Sequence, residues 1–197
     1  GHTTLDEGKI KTGVTALIPH SGIIFMEKLI CSSYVINGFG KSCGLLQIEE
    51  LGTLEAPIIL TNTLSVGTAS TALVKYMLEN NEDIGKRFGT VNPVVCECND
   101  GFLNDIRGLH VKEEHVFQAI ENADIKFQEG NVGAGTGMSC YQLKGGIGSA
   151  SRIIKLDDEE YTIGALVLSN CGLKKDLMIN GKKIGEKIIS SEKEDEL

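Results

Sequence analysis

Residues 129–148 read EGNVGAGTGMSCYQLKGGIG and hold seven glycines in twenty positions, against 24 in all 197 residues. Glycine has no Cβ. A stretch this bare either adopts left-handed backbone or lets another segment come closer than any side chain would allow. Two consequences are compatible: backbone packed tightly on backbone, or a pocket wall whose N–H groups donate to a developing oxyanion. A nucleotide loop fits poorly. Gly133, Gly135 and Gly137 alternate, but Met138 stands where G-x-G-x-x-G needs its last glycine, and Lys144-Gly145 reverses the Gly-Lys of a phosphate loop. The block also runs into SCYQLKG, which reads as extended, whereas a dinucleotide fingerprint follows a strand and opens a helix.

Around this block, strand-like runs dominate. Segments 12–20, 30–37, 43–50, 56–63, 93–99, 149–156 and 161–170 are apolar or β-branched and end in Gly, Asn or Pro. The unbroken apolar runs at 58–60 and 165–168 predict strands covered on both faces. In 177–185, Asn180-Gly181 predicts a hairpin turn. Two segments switch to helical period: 68–80, with Ala69, Ala72, Leu73, Tyr76 and Met77 on one face, and 112–123, with Val116, Ala119, Ile120 and Ala123. Thr68 or Ser65 is placed to cap the first, and Glu113 and Glu114 suit the start of the second. Strands at both ends with two central helices predict an α+β layered fold. With no linker and no repeat, residues 1–197 read as one domain.

Composition narrows the function classes. The net charge is −8 with no basic stripe, which argues against nucleic acid as a partner. Apolar runs of four or five residues are far too short to span a membrane. No secretory leader is visible, although the chain opens at Gly1 rather than Met. Six cysteines, scattered through apolar segments, predict reduced, buried thiols and a cytoplasmic setting. Cys96 and Cys98 form C-x-C rather than a C-x-x-C motif, so neither a metal nor a cofactor is expected. The tail SSEKEDEL reads as a solvated, frayed acidic end rather than a retention signal.

Five segments carry a resemblance along nearly the whole chain: KTGVTALIPH (11–20), VINGFGKSCGLLQIEELGTLEAPIILTNTLSVG (35–67), NDGFLND (99–105), EGNVGAGTGMSCYQLKGGIGSASR (129–152) and YTIGALVLSNCG (161–172). Together they resemble the aminopeptidase family of the L-aminopeptidase/D-amidase/esterases and β-peptidyl aminopeptidases. The resemblance implies a precursor that cuts itself once and exposes a nucleophilic serine at the start of a smaller second chain. It implies a four-layer α-β-β-α sandwich, similar to the N-terminal-nucleophile hydrolases with a different strand order and shared with the ornithine acetyltransferases. The family's Gly/Asn-Ser junction and following strand are absent here. The chain is therefore expected to be the larger, N-terminal fragment, with Leu197 at or just before the cut and neither Ser190 nor Ser191 as nucleophile. A tetramer of paired chains is the implied assembly.

Site residues carry over by motif. Asn170, ending YTIGALVLSN, matches the side-chain donor of the family's oxyanion hole, a role worth about 3 kcal/mol of barrier; otherwise it is an Asn that turns the chain after a strand. Tyr141 matches a tyrosine near the nucleophile; its bland reading is a half-buried strand residue. Glu129 is placed to bind a substrate's protonated amine, or is one more solvated acid. Backbone N–H groups from Asn131 through Gly133, Ala134 and Gly135 are the expected second oxyanion donor and pocket wall. Asn62 is expected to support the site from a neighbouring strand. His2, His20, His110 and His115 suggest no triad, and His115 is expected at a helix surface. A free α-amine, with a pKa near 8, can act as base for its own serine hydroxyl, but acidic and serine groups on the second chain leave the base open. The expected activity is release of N-terminal amino acids from small peptides, amides or esters. Acyl transfer to an amine, as in the ornithine acetyltransferases, and a non-catalytic scaffold are the alternatives.

Overall fold

The first two strands, β1 (His2–Glu7) and β2 (Ile10–Leu17), form a hairpin turned by Gly8 at φ 55°. In this computed structural model, which describes residues 1–195, the short strand β3 (Leu29–Ile30), helix α1 (Leu45–Leu51) and strand β4 (Thr53–Leu54) come next. Strand β5 (Ile58–Asn62), helix α2 (Val66–Asn80), strand β6 (Val94–Cys98) and helix α3 (Glu113–Glu121) complete the first half. The main sheet has the order β1-β2-β5-β6, antiparallel except for the parallel pair β5–β6, whose crossover contains α2.

Alternation in the strands divides the sheet into two faces. Ala16, Ile59 and Val95 share a register row and are 0–3% exposed. Together with Val14 they meet Ala69, Ala72, Leu73 and Met77 of α2 and Val116, Ala119 and Ile120 of α3 in one buried cluster. These are the residues that the helical period predicts. Neither Thr68 nor Ser65 caps α2 through its side chain. Instead a 3-10 turn, Thr63–Ser65, precedes the helix, and the Asn62 side chain accepts a hydrogen bond from Ser65 N at 3.0 Å.

On the other face, Thr15 accepts a hydrogen bond from Ala134 N at 3.1 Å, which places the glycine block there. The block contains a 3-10 turn (Gly133–Gly135) and a small hairpin, β7 (Ser139–Cys140) with β8 (Leu143–Lys144). It leads into a ten-residue ribbon, β9 (Ile147–Leu156) paired with β10 (Glu159–Leu168). The chain ends in the hairpin β11 (Met178–Ile179) and β12 (Lys182–Lys183), then helix α4 (Ile184–Asp195). Asn180 and Gly181 have φ 49° and 74°, as their Asn-Gly sequence predicts.

Several expectations fail for identifiable reasons. Segment 43–50 is helical from Leu45 onward, because Gly44 and Gly52, both left-handed, bound a short run of good helix formers. In 30–37 only Ile30 belongs to a strand; Ile30, Tyr34 and Ile36 are 98%, 89% and 90% exposed. The run 165–168 is a strand but not a covered one, for Val167 is 53% exposed and, among the described residues, β10 pairs only with β9. The acidic tail is helical up to Asp195, and the expected junction at Leu197 lies outside the described residues. No helix among the described residues is long and apolar enough to cross a membrane.

Candidate active site

The glycine block is bare because backbone passes over backbone. A Cβ at Gly137 would lie 2.0 Å from the Lys11 carbonyl, and one at Gly146 would lie 2.4 Å from the Gly130 carbonyl. Gly133 has φ 52°, and a Cβ there would sit 2.5 Å from Thr15 Oγ1. None of these three positions admits a side chain without displacing its neighbour. Three of the N–H groups expected as oxyanion donors are already engaged. Gly133 N donates to Thr4 Oγ1 at 2.8 Å, Ala134 N to Thr15 Oγ1 at 3.1 Å and Gly135 N to the Val132 carbonyl at 2.9 Å. In this arrangement they brace the loop against β1 and β2. The Lys144 ammonium closes it from the other side, donating to the carbonyls of Gly135, Met138 and Gly145 at 2.9, 3.2 and 2.8 Å. Burial pulls the Lys144 pKa down, and nearby Asp6 opposes that.

Tyr141 is not extended. With Gln142 it forms the turn between β7 and β8, at φ 53° and 59°. Left-handed backbone costs an L-residue about 1–2 kcal/mol, so neighbours must impose it. Tyr141 N donates to the Cys171 carbonyl at 2.6 Å, and Gln142 Oε1 accepts from Lys174 N at 3.1 Å. The tyrosine ring lies on Gly172, where a Cβ would be 2.5 Å from ring carbon Cδ1. That contact anchors Tyr141 one residue away from Cys171 and two from Asn170.

Asn170 sits just past the end of β10, and its Nδ2 donates to the Asn99 carbonyl at 2.7 Å. Asn99 follows the end of β6, and Cys98 pairs in register with Asn62 of β5. Asn62 is 2% exposed; besides capping Ser65, it donates to Thr12 Oγ1 at 2.9 Å. Tyr141, Asn170 and Asn62 are thus linked through the ends of β5 and β6. Glu129 and Asn131 lie at the opposite end of the glycine block: the Glu129 carboxylate accepts from the Ser149 hydroxyl, and Asn131 Nδ2 donates to Asp6 at 3.4 Å.

The cysteines are not interior. Five are half-buried and Cys171 is exposed, and the sulfurs of Cys140 and Cys171 are 3.7 Å apart. Burial, with Glu97 beside it, pushes the Cys98 thiol up to about 11, and burial raises Cys96 as well, so neither is a thiolate at neutral pH. The histidines have structural partners. His115 Nδ1 accepts from Lys112 N at 2.9 Å and caps α3, half-buried rather than on the surface. His2 bonds Thr15 Oγ1 at 2.9 Å, but Thr15 is 1% exposed and cannot meet a substrate. Among the described residues no three His, Cys, Asp or Glu side chains cluster as metal ligands.

The comparisons with known proteins agree with one another. The model of peptidase family S58 matches residues 1–196. A β-peptidyl aminopeptidase, BapA, of Sphingosinicella microcystinivorans is 39% identical over 191 residues, 95% of this chain and 47% of that protein. BapA of Sphingosinicella xenopeptidilytica is 37% identical, over 95% of this chain and 49% of that protein. The chain therefore spans about half the length of the curated relatives it matches.

Among solved structures, the PH0078 protein of Pyrococcus horikoshii OT3 is 56% identical with a TM-score of 0.94, over 96% of this chain and 56% of that one. The L-aminopeptidase D-Ala-esterase/amidase of Ochrobactrum anthropi, described as a variant of the Ntn-hydrolase fold, is 35% identical with a TM-score of 0.76, over 92% of this chain and 47% of that one. The fold is that of these serine aminopeptidases, and the chain belongs to peptidase family S58.

Proposed function

We propose that this chain is the larger part of a two-chain aminopeptidase or amidase, completed by a smaller chain cut from the same precursor. The observation that carries the reading is the S58 match over residues 1–196 in a chain half the length of its relatives. The open surface is in keeping with it. A groove of about 790 Å³ runs between Leu166 of the ribbon and Leu17 and Ile58 of the sheet. Beyond Ile147, which Gly130 bridges, the outer edges of the β9–β10 ribbon pair with no further strand among the described residues and offer their backbone to one.

In this reading the serine at the start of the second chain attacks the first amide carbonyl of a small peptide, amide or ester. Its own α-amine is one candidate base. One N–H of the Asn170 amide is held by Asn99, and the other donates to the oxyanion. The Tyr141 hydroxyl orients the nucleophile, and Glu129 binds the substrate's ammonium group. Asn131, Gly133, Ala134 and Gly135 form the pocket wall, while Asn62, being buried, supports it from behind. Water then releases the amino acid from the acyl-enzyme. The exposed apolar residues Ile30, Tyr34, Ile36 and Phe39 suit contacts in an oligomer, taken to be a tetramer of paired chains. Six free thiols suit a cytoplasmic setting.

The test is expression of the full-length precursor. Electrophoresis and mass spectrometry should find two chains, the smaller beginning with serine, and the purified protein should hydrolyse L-alanine or β-alanine p-nitroanilide. Asn170→Ala should lower kcat by about 100- to 1,000-fold. A single uncut chain without amidase activity would overturn the reading. Acetyl transfer to ornithine, without hydrolysis, would favour the transferase alternative.

A further inference from the structure

In the stretch NDGFLND, residues 99–105, only Asn99 has a role in the reading above, yet the stretch forms a buried polar hub. Asp100 is 1% exposed. Its Oδ1 accepts from Asn104 Nδ2 at 3.1 Å; Thr12 and Asn62 stand beside the carboxyl, whose buried Oδ2 makes no hydrogen bond among the described residues. Its backbone carbonyl accepts from Leu103 N at 3.1 Å and Asn104 N at 2.9 Å. Asn104 Oδ1 in turn accepts from Lys11 N at 2.9 Å. From the glycine block, Gly137 packs so closely that a Cβ on it would lie 2.7 Å from Asp100 Cβ. One side chain therefore ties β2, the end of β5, the 100–104 turn and the glycine block together.

The peptide that precedes this side chain carries the Asn99 carbonyl, the acceptor for Asn170 Nδ2. The Asn104 amide on its carboxyl, Leu103 N and Asn104 N on its carbonyl and Gly137 packed against its Cβ all restrain Asp100, and with it that peptide plane. We propose that Asp100 is the positioning residue for the Asn170 amide: it fixes the Asn99 carbonyl, which holds one N–H of Asn170 and so aims the other at the substrate oxygen. The inference rests on the aminopeptidase reading. The chemistry of the hub explains why a carboxylate stands there. Asn104 donates to it, Thr12 and Asn62 stand beside it with hydrogens to give, and a carboxylate only accepts. An asparagine has the same shape but turns an NH2 toward one of those donors.

The experiment is a double-mutant cycle in the full-length protein, with L-alanine and β-alanine p-nitroanilide as substrates. Asp100→Asn should lower kcat about 10- to 100-fold, the loss that a small misplacement of a catalytic group brings, with KM within twofold of the wild type. In an Asn170→Ala background, Asp100→Asn should cost nothing further, because the group it positions is gone. A merely structural defect would cost the same factor in both backgrounds, and that result would overturn the proposal. So would wild-type kcat in Asp100→Asn. If Asp100→Asn does not fold, Thr12→Val, which removes one donor to the hub, should show the same background-dependent loss, and an equal loss in both backgrounds sinks the idea. A wild-type protein without amidase activity fails the aminopeptidase reading itself; an active wild type beside an unaffected Asp100→Asn fails only this inference.

Discussion

The helix-backed face of the main sheet and the β9–β10 ribbon have similar strand chemistry and opposite fates. On the sheet, Val14, Ile59 and Val95 are 0% exposed beneath α2 and α3. On the ribbon, Ile153, Ile163 and Val167 are 68%, 57% and 53% exposed, although ten residue pairs join its two strands. An isolated two-stranded hairpin is marginal in water. A well-formed ladder therefore does not make a core; a second layer does. Among the described residues that layer is present for one of the two regions.

The largest effect expected on this contrast is in the helix-backed face. Leu73 is fully buried between α2 and the sheet, so Leu73→Ala should cost about 3 kcal/mol through lost transfer energy and a cavity. Urea unfolding of the full-length protein measures it, and a loss below about 1 kcal/mol would mean that this face is less completely packed than its burial implies. The region was also the most legible in the sequence. Period and β-branching are local signals, and they mark α2, α3, β5 and β6 because each of these elements has its covering layer within this chain. The same signals predicted coverage at 165–168 and pairing at 30–37, where no covering layer is found among the described residues. The site was legible in a different way. The motifs of the glycine block and of 161–172 located Tyr141 and Asn170, but nothing local announced the left-handed backbone of Tyr141, which Cys171 and Gly172 impose from thirty residues away. Nothing local in NDGFLND marks a role for Asn99 or Asp100, because their roles exist only once the end of β6 lies beside the end of β10.

A middle-sized effect separates two buried carboxyls, one supporting the helix-backed sheet and one at the edge of the glycine block. Glu55 is 5% exposed; it accepts from Lys28 Nζ at 2.6 Å and from Asn92 N and Nδ2, each at 2.9 Å. Burial pushes its pKa up, but those hydrogen bonds outweigh burial and hold it below its ordinary value of 4.5. Its stabilisation is therefore present above that value and is lost as pH falls through the lower, folded-state value. Asp100 has the opposite sign: burial holds it above its ordinary 3.8, so the folded state retains the proton longer and this group loses stability as pH rises through its folded-state value. Glu55→Ala should cost about 2 kcal/mol at neutral pH and flatten the acid side of the stability profile. Denaturant melts from pH 3 to 7 test both signs, and a Glu55 variant that kept the wild-type acid slope would remove Glu55 from the account.

The smallest effect bears most directly on what covers the ribbon. Ile163 lies in the middle of β10, opposite Arg152. If water is its neighbour in the complete protein, Ile163→Thr leaves strand propensity nearly unchanged and should alter stability by less than about 0.5 kcal/mol. If the proposed second chain lays a layer over the ribbon, the same change removes buried apolar surface and adds a hydroxyl to an interface, with a cost of about 1 kcal/mol or more. The two-chain reading commits to the larger figure in the processed protein. It also commits to a contrast within the ribbon. Lys155 and Glu160, 3.4 Å apart near the ribbon's turn, are 75% and 59% exposed. Lys155→Ala should remain near zero even after processing, because a solvated pair at the tip contributes little. Equal, negligible losses at Ile163 and Lys155 would mean that the ribbon stays naked along its whole length, and the difference between the two regions of the molecule would then be permanent rather than a vacancy for the second chain.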